Sequence, residues 1–83
     1  MQELYELAIE KWGEKAQLAM LQEESLELSL AIHKFLQRGG PLLDVINEIA
    51  DVKIMIEQIE LIIDPDLIEE QKTIKLHRLR ERS

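Results

Sequence analysis

The chain has 83 residues, 46% of them hydrophobic and 33% charged, with three Gly, two Pro and no Cys. That composition excludes disordered, collagen-like and proline-rich linker classes, and the missing cysteines exclude a disulfide framework, a zinc knuckle and thiol chemistry. A formal net charge of −7 argues against a nucleic-acid platform, which needs a basic face, and is compatible with bound cations.

Glycine and proline fall in three places, and these predict four helices and an all-α fold. The first helix, about 2–12, carries Leu4, Leu7, Ala8 and Trp12 and stops at Gly13. The second, about 14–38, runs to Gly39-Gly40-Pro41, where Pro41 suits the first turn of the third helix, about 42–63. Asp64-Pro65 opens the fourth, with Asp64 as N-cap and Asp66, Glu69 and Glu70 near its positive end. Lys and Arg crowd the other end of that helix. No stretch alternates apolar and polar residues between strand-like turns, so no sheet is expected.

This length predicts a single domain over residues 1–83. A 60-residue domain buries only about 60% of its unfolded surface, so a short chain with no staple is marginal alone. Association with a second copy is therefore expected. No apolar run approaches the roughly 18 residues needed to cross a bilayer, and no charged-then-apolar leader opens the sequence. The expectation is no membrane partner and, with no cysteine, a cytoplasmic setting. The charge is also uneven. Residues 1–70 hold sixteen acids against five Lys/Arg, a balance of −11, whereas residues 71–83 hold five Lys/Arg against Glu81, a balance of +4.

The second and third helices carry the information. At about 100° per residue, Leu18, Leu21, Leu28, Ile32, Phe35 and Leu36 share one apolar side of the second, and Ala19, Leu26 and Leu30 make another strip. Between them run Glu23, Glu24, Glu27, Ala31, Lys34 and Arg38. On the third, Val45, Ile49, Val52, Ile56, Ile59 and Ile63 form one stripe and Leu43, Ala50, Ile54 and Leu61 a second. Glu48 and Asp51 fall between these stripes, beside Asp44, Asn47, Met55 and Gln58, while Lys53, Glu57 and Glu60 take the water-facing strip. A surface helix ordinarily has one apolar stripe and one polar face.

Glu24 and Glu27 are three apart, as are Glu48 and Asp51, which puts each pair on one helical face. If the helices are antiparallel neighbours, four carboxylates converge, with Glu23 at the edge. Ionised carboxylates in a partly apolar groove repel one another and must take up protons or meet a cation. Oxygen donors suit a hard divalent ion, Mg²⁺ or alternatively Mn²⁺. A di-iron bundle would want Glu-x-x-His from each of two helices. Leu30 stands three before His33 and Ile74 three before His77, so that rival drops out.

Glu23-Glu24-Ser25-Leu26-Glu27, then twenty residues, then Glu48-Ile49-Ala50-Asp51, resembles the EExxE…ExxD signature of the MazG-like all-α nucleoside triphosphate pyrophosphohydrolases. Trp12-Gly13, Gln17, Glu27-Leu28 and Glu48-Ile49-Ala50-Asp51-Val52 are similar to the short members of that family, and the resemblance spans about residues 4–80. It implies a four-helix bundle, oligomeric, that cleaves nucleoside triphosphates between the α- and β-phosphates with Mg²⁺, giving a monophosphate and pyrophosphate in nucleotide-pool house-cleaning. By the resemblance Glu24, Glu27, Glu48 and Asp51 hold the metal, and Glu23 and Glu27 are the catalytic candidates, Glu23 as an extra ligand or as base for the attacking water.

A triphosphate needs cations beyond the metal. Lys34, two turns after Glu27 on the same stripe, is the first candidate, with Arg38 a turn further. Lys72, Lys75 and Arg78 on the last helix are candidates across a subunit boundary. Trp12 offers a stacking face and Gln17 an amide for a base, although the lone Trp of a small chain more often belongs to the core. Asn47 suits ribose, phosphate or a supporting contact to the carboxylates. Narrower alternatives on the same site are dUTP, dCTP or phosphoribosyl-ATP as the substrate. From another class, the alternative is a non-catalytic helical oligomer that binds nucleotide or a protein partner.

Overall fold

In the computed structural model, which describes residues 1–82, the chain breaks where glycine and proline stand: α1 spans Gln2–Trp12, α2 Glu14–Arg38, α3 Leu42–Ile59 and α4 Pro65–Arg82. The described residues are all-helical, with no strand among them. Gly13 joins α1 to α2 as a single residue at φ 85°, ψ 163°, a combination that a Cβ all but forbids. Its N–H donates to the Ile9 carbonyl at 2.7 Å, and its own carbonyl accepts from Gln17 N–H at 3.2 Å. One residue thus closes one helix and starts the next.

The α2–α3 connection is Gly39-Gly40-Pro41. Gly39 is left-handed at φ 67°, ψ 27°, and Gly40 N–H donates back to the Lys34 carbonyl at 3.0 Å. Pro41 is extended at φ −71°, ψ 136° and is the N-cap of α3, one position earlier than the sequence reading places it. A three-residue turn forces α2 and α3 into an antiparallel pair, and this pair supplies most of the packing, with α1 laid against both.

The less exposed positions of α2 include the series Gln17, Leu21, Glu24, Leu28 and Ala31, with Ala16 beside it; those of α3 include Val45, Glu48, Val52, Met55 and Ile59, with Gln58 beside it. Both series alternate steps of three and four, the spacing of a coiled-coil seam. This corrects the expected faces. Leu18, Ile32, Phe35 and Leu36, taken together with Leu21 and Leu28 as one apolar side, are exposed, and so are Ile49 and Ile56. Helix α3 is also shorter than the predicted 42–63. Beyond Ile59 the chain tightens into turns, with Leu61 N–H donating to Gln58 and Ile62 and Ile63 N–H to Ile59. Asp64 then caps α4 as predicted, its Oδ1 accepting from Asp66 N–H at 2.9 Å.

Few apolar side chains are buried within the chain: Tyr5, Val45, Met55 and Ile59. The accessible surface is 6808 Å², against about 5,100 Å² for a compact monomer of this mass. The radius of gyration is 15.4 Å, against about 12 Å for a globular chain of this length. Leu26, Leu30 and Leu36 on α2 and Leu43, Ile46 and Ile54 on α3 are left in water. Helix α4 packs against none of the other three. No helix among the described residues is long and apolar enough to cross a membrane.

Candidate functional site

The site lies in the α2–α3 seam itself. Glu24 and Glu27, one turn apart on α2, meet Glu48 of α3, and one oxygen from each lies within 4.8 Å of the others. Glu24 and Glu48 are half-buried and Glu27 is exposed at the mouth. Glu24 Oε2 and Glu48 Oε2 are buried without a hydrogen-bond partner among the described residues. A seam position normally takes an apolar residue; placing two carboxylates there costs desolvation with nothing in the chain to offset it.

The electrostatics follow from that placement. Burial, then the neighbouring charges of Glu27, Asp51 and Glu48, together with a side-chain contact to Glu27, push the Glu24 carboxyl above the usual carboxylate range. Burial, then the charges of Glu27, Asp51 and Asp44, push Glu48 up in the same way. Both causes act in one direction, toward proton uptake or a bound cation. Asp51 is exposed and stands on the rim, close enough to act on both glutamates. Asp44, which the sequence places on the same stripe of the helix but which was given no role, belongs to the same acidic field.

Beside the cluster is a cavity of about 220 Å³ lined by Glu27, Leu30, Ala31, Lys34, Asp44, Asn47 and Glu48. Two of the predicted substrate contacts, Lys34 and Asn47, are therefore brought to the carboxylates, and Glu27 and Glu48 are shared between cluster and cavity. Leu30 and Ala31 give it an apolar wall.

The other candidates stand elsewhere. Glu23 is exposed and outside the three-glutamate group. Trp12 is 57% exposed at the end of α1, with Lys11 Nζ 4.9 Å from its ring centroid; it is neither core, as a lone Trp was expected to be, nor a lining residue of the cavity. Gln17 is 1% exposed, two turns before Glu24. Its Nε2 donates to the Ala8 carbonyl at 3.4 Å and its Oε1 is buried without a partner, so it joins α2 to α1 and does not line the cavity. Arg38 and Lys53 are exposed, and Lys72 pairs with Glu69 at 3.9 Å on the surface of α4.

The sequence reading missed one contact that holds the site's scaffold. The Tyr5 hydroxyl donates to Glu57 across 52 positions of chain. That hydrogen bond, then burial and the Glu57 charge, raise the Tyr5 pKa above its ordinary value. No helical wheel pairs residues this distant.

No protein-family model matches the chain, and no curated protein or solved structure matches it.

Proposed function

We propose that this chain is a Mg²⁺-dependent nucleoside triphosphate pyrophosphohydrolase that works as a homodimer or homotetramer, in the manner of the MazG-like enzymes its EExxE…ExxD residues resemble. The observation that carries the reading is the convergence of Glu24, Glu27 and Glu48 within 4.8 Å, two of them with orphaned buried oxygens, beside a cavity that also presents a lysine and an asparagine. The donor set fits the ion. All the donors are carboxylate oxygens, which Mg²⁺ and Mn²⁺ prefer, and orphaned oxygens in a seam are what a coordinated cation would satisfy.

Glu24, Glu27 and Glu48 would hold the ion, with Asp51 as a further donor from the rim. When bound, it supplies charge neutralisation of the triphosphate and a lowered pKa for a coordinated water. The chain's own residues do the rest. Lys34 offers a point charge for a phosphate oxygen, and Asn47 offers amide donors for phosphate or ribose. Glu27, exposed at the mouth and shared by cluster and cavity, is placed to take the proton from the attacking water, with Glu23 outside it as the alternative base. Water adds across the α–β anhydride: one P–O bond forms, the bridging P–O bond breaks, and pyrophosphate leaves with the electron pair.

The exposed apolar flanks of α2 and α3 support the oligomeric part of the reading, because so many large apolar side chains left exposed on a chain this size suit an interface. The enzymatic part is tested by incubating the purified chain with a panel of nucleoside triphosphates, dUTP, dCTP and phosphoribosyl-ATP, with and without Mg²⁺, and quantifying pyrophosphate. Release that needs Mg²⁺ is expected. Binding of nucleotide with no release from any substrate overturns catalysis and leaves a nucleotide-binding oligomer.

A further inference from the structure

Helix α4 is eighteen residues long, yet it lies against no other helix of its chain, and Ile68 alone among its residues is even half-buried. A helix of this length held by propensity alone is marginal in water, because tertiary packing supplies most helical stability in proteins. The helix is polar overall, with its apolar side chains spread widely around it. Leu67, Ile68, Leu76 and Leu79, with the stems of Lys72 and Lys75, line an apolar concavity of about 550 Å³. The corner that launches it is built firmly. Ile62 and Ile63 N–H are tied to Ile59, and the Asp64 side chain caps Asp66 N–H, so the direction in which α4 leaves α3 is set by hydrogen bonds rather than left loose.

Charge adds a second, independent clue. From Gln71 onward the chain carries a balance of +4, while residues 1–70 carry −11. Glu3, Glu6 and Glu10 are exposed along α1. Within one chain the basic end of α4 meets none of this acidic surface. Opposite charges on two faces of one molecule, arranged so that they do not touch each other, are satisfied when two molecules meet.

We propose that α4 is an arm that docks on a second copy of this chain. The side that holds Ile68 and Leu79, with Leu67 and Leu76 at its edges, seats on the exposed α2–α3 flanks of that copy, and Lys75, Arg78, Arg80 and Arg82 face that copy's acidic surface. The area suffices: the chain exposes roughly 1,700 Å² more than a compact monomer of its mass, about twice the roughly 800 Å² that each partner contributes to a standard specific interface. The proposal does not depend on the chemistry of the carboxylate cluster, and its test uses neither metal nor nucleotide.

The decisive measurement is zero-length lysine–carboxylate crosslinking of the full chain, with unlabelled and ¹⁵N-labelled copies refolded together from denaturant. Links within α4, such as Lys72 to Glu69, are set aside, and peptides that join Lys72 or Lys75 to acids of α1–α3 are expected to carry mixed isotopes. Crosslinks from α4 to α1–α3 found within single copies alone mean that it folds back on its own chain, and overturn the proposal. A monomer whose α4 lysines reach no acid of α1–α3 leaves the arm for a different macromolecule, and overturns it too. A second arm uses Leu76→Glu, which leaves the α2–α3 seam untouched. Retained helical circular dichroism with at least a tenfold weaker self-association is expected, and unchanged association overturns the proposal.

Discussion

Glu24 of α2 and Glu48 of α3 occupy seam positions in facing helices, each with a buried oxygen that no donor among the described residues reaches. In a helical pair such positions ordinarily hold leucine or isoleucine. The protein carries here a local electrostatic conflict that weakens the ion-free fold, and the proposed function gives that conflict a purpose.

The conflict sets a pH dependence. Both carboxyls titrate above their ordinary value of 4.5 in the folded chain, so between that pH and the raised pKa values the folded state binds more protons than the unfolded one. Their favourable contribution is complete below pH 4.5 and is lost as pH rises through the raised values. In metal-free buffer the double variant Glu24→Gln/Glu48→Gln is therefore expected to gain stability over the wild type progressively with pH. Thermal melts of both proteins across the acid-to-neutral range read this directly. A constant difference between them would show that burial and mutual repulsion do not govern the pair.

Metal linkage tests the same residues from the other side. If the cluster holds Mg²⁺, the wild type gains about 2.7 kcal/mol at a free concentration 100-fold above Kd, seen as a rise in Tm. Glu48→Gln should lose most of that rise, and pyrophosphate release should fall on the order of 100-fold. Chelation of the metal should return the wild type to its ion-free melt.

Lys34 lines the cavity but lies outside the three-glutamate group. Lys34→Ala is expected to leave Mg²⁺-linked stabilisation intact while raising KM for a triphosphate by about tenfold or more, the scale of one charge-assisted hydrogen bond. A loss of metal stabilisation in this variant would place Lys34 as a partner of the carboxylates and not of phosphate.

Tyr5 ties α1 to α3 through Glu57. Tyr5→Phe keeps the buried ring and removes the donor. A cost of about 1 kcal/mol is expected, at the low end for a bond to a charged acceptor because Glu57 is exposed and can return to water. Hydrogen exchange should show the loss concentrated in α1 amides, with the α2–α3 seam unchanged.

Ile59 is the least exposed apolar side chain, at 4%, and sits where α3 ends against the turn that leads to α4. Ile59→Ala is expected to cost about 2–5 kcal/mol, a large fraction of what a chain this small can hold. Denaturant titration should show the midpoint falling.

The helix limits were legible because Gly13, Gly39 and Asp64-Pro65 act through backbone sterics and capping, which are local. Three of the four carboxylates expected to converge were legible for the same reason, since spacing of three along a helix needs no tertiary knowledge; Asp51 stands exposed outside the group. Which apolar face turns inward was not. Glu24 shares its seam with Gln17, Leu21, Leu28 and Ala31, whereas the more hydrophobic flank with Ile32, Phe35 and Leu36 is left outside. A wheel ranks faces by hydrophobicity and cannot tell which of two apolar faces its own chain will cover. Trp12, offered for base stacking against a core place drawn from general burial preference, is exposed and lines no part of the cavity, and Gln17, chosen for its amide, is buried as a link to Ala8. The Tyr5–Glu57 bond carries no pattern in sequence at all.

The turn at Gly39-Gly40 has a bearing on the cluster that its size conceals. A Cβ at Gly40 would meet the Lys34 Cβ at 3.2 Å and the Lys34 carbonyl group at 3.3 Å, so the loop is drawn up against the end of α2 with no slack. It therefore serves as the origin from which positions on the two helices are counted. Insert one helical residue between that turn and Glu48, and Glu48 moves by about 1.5 Å along α3 and about 100° around it, out of reach of Glu24 and Glu27 while every helix remains a helix. The three carboxylates are brought together by a length as much as by a chemistry, and that length is set by two glycines and a proline.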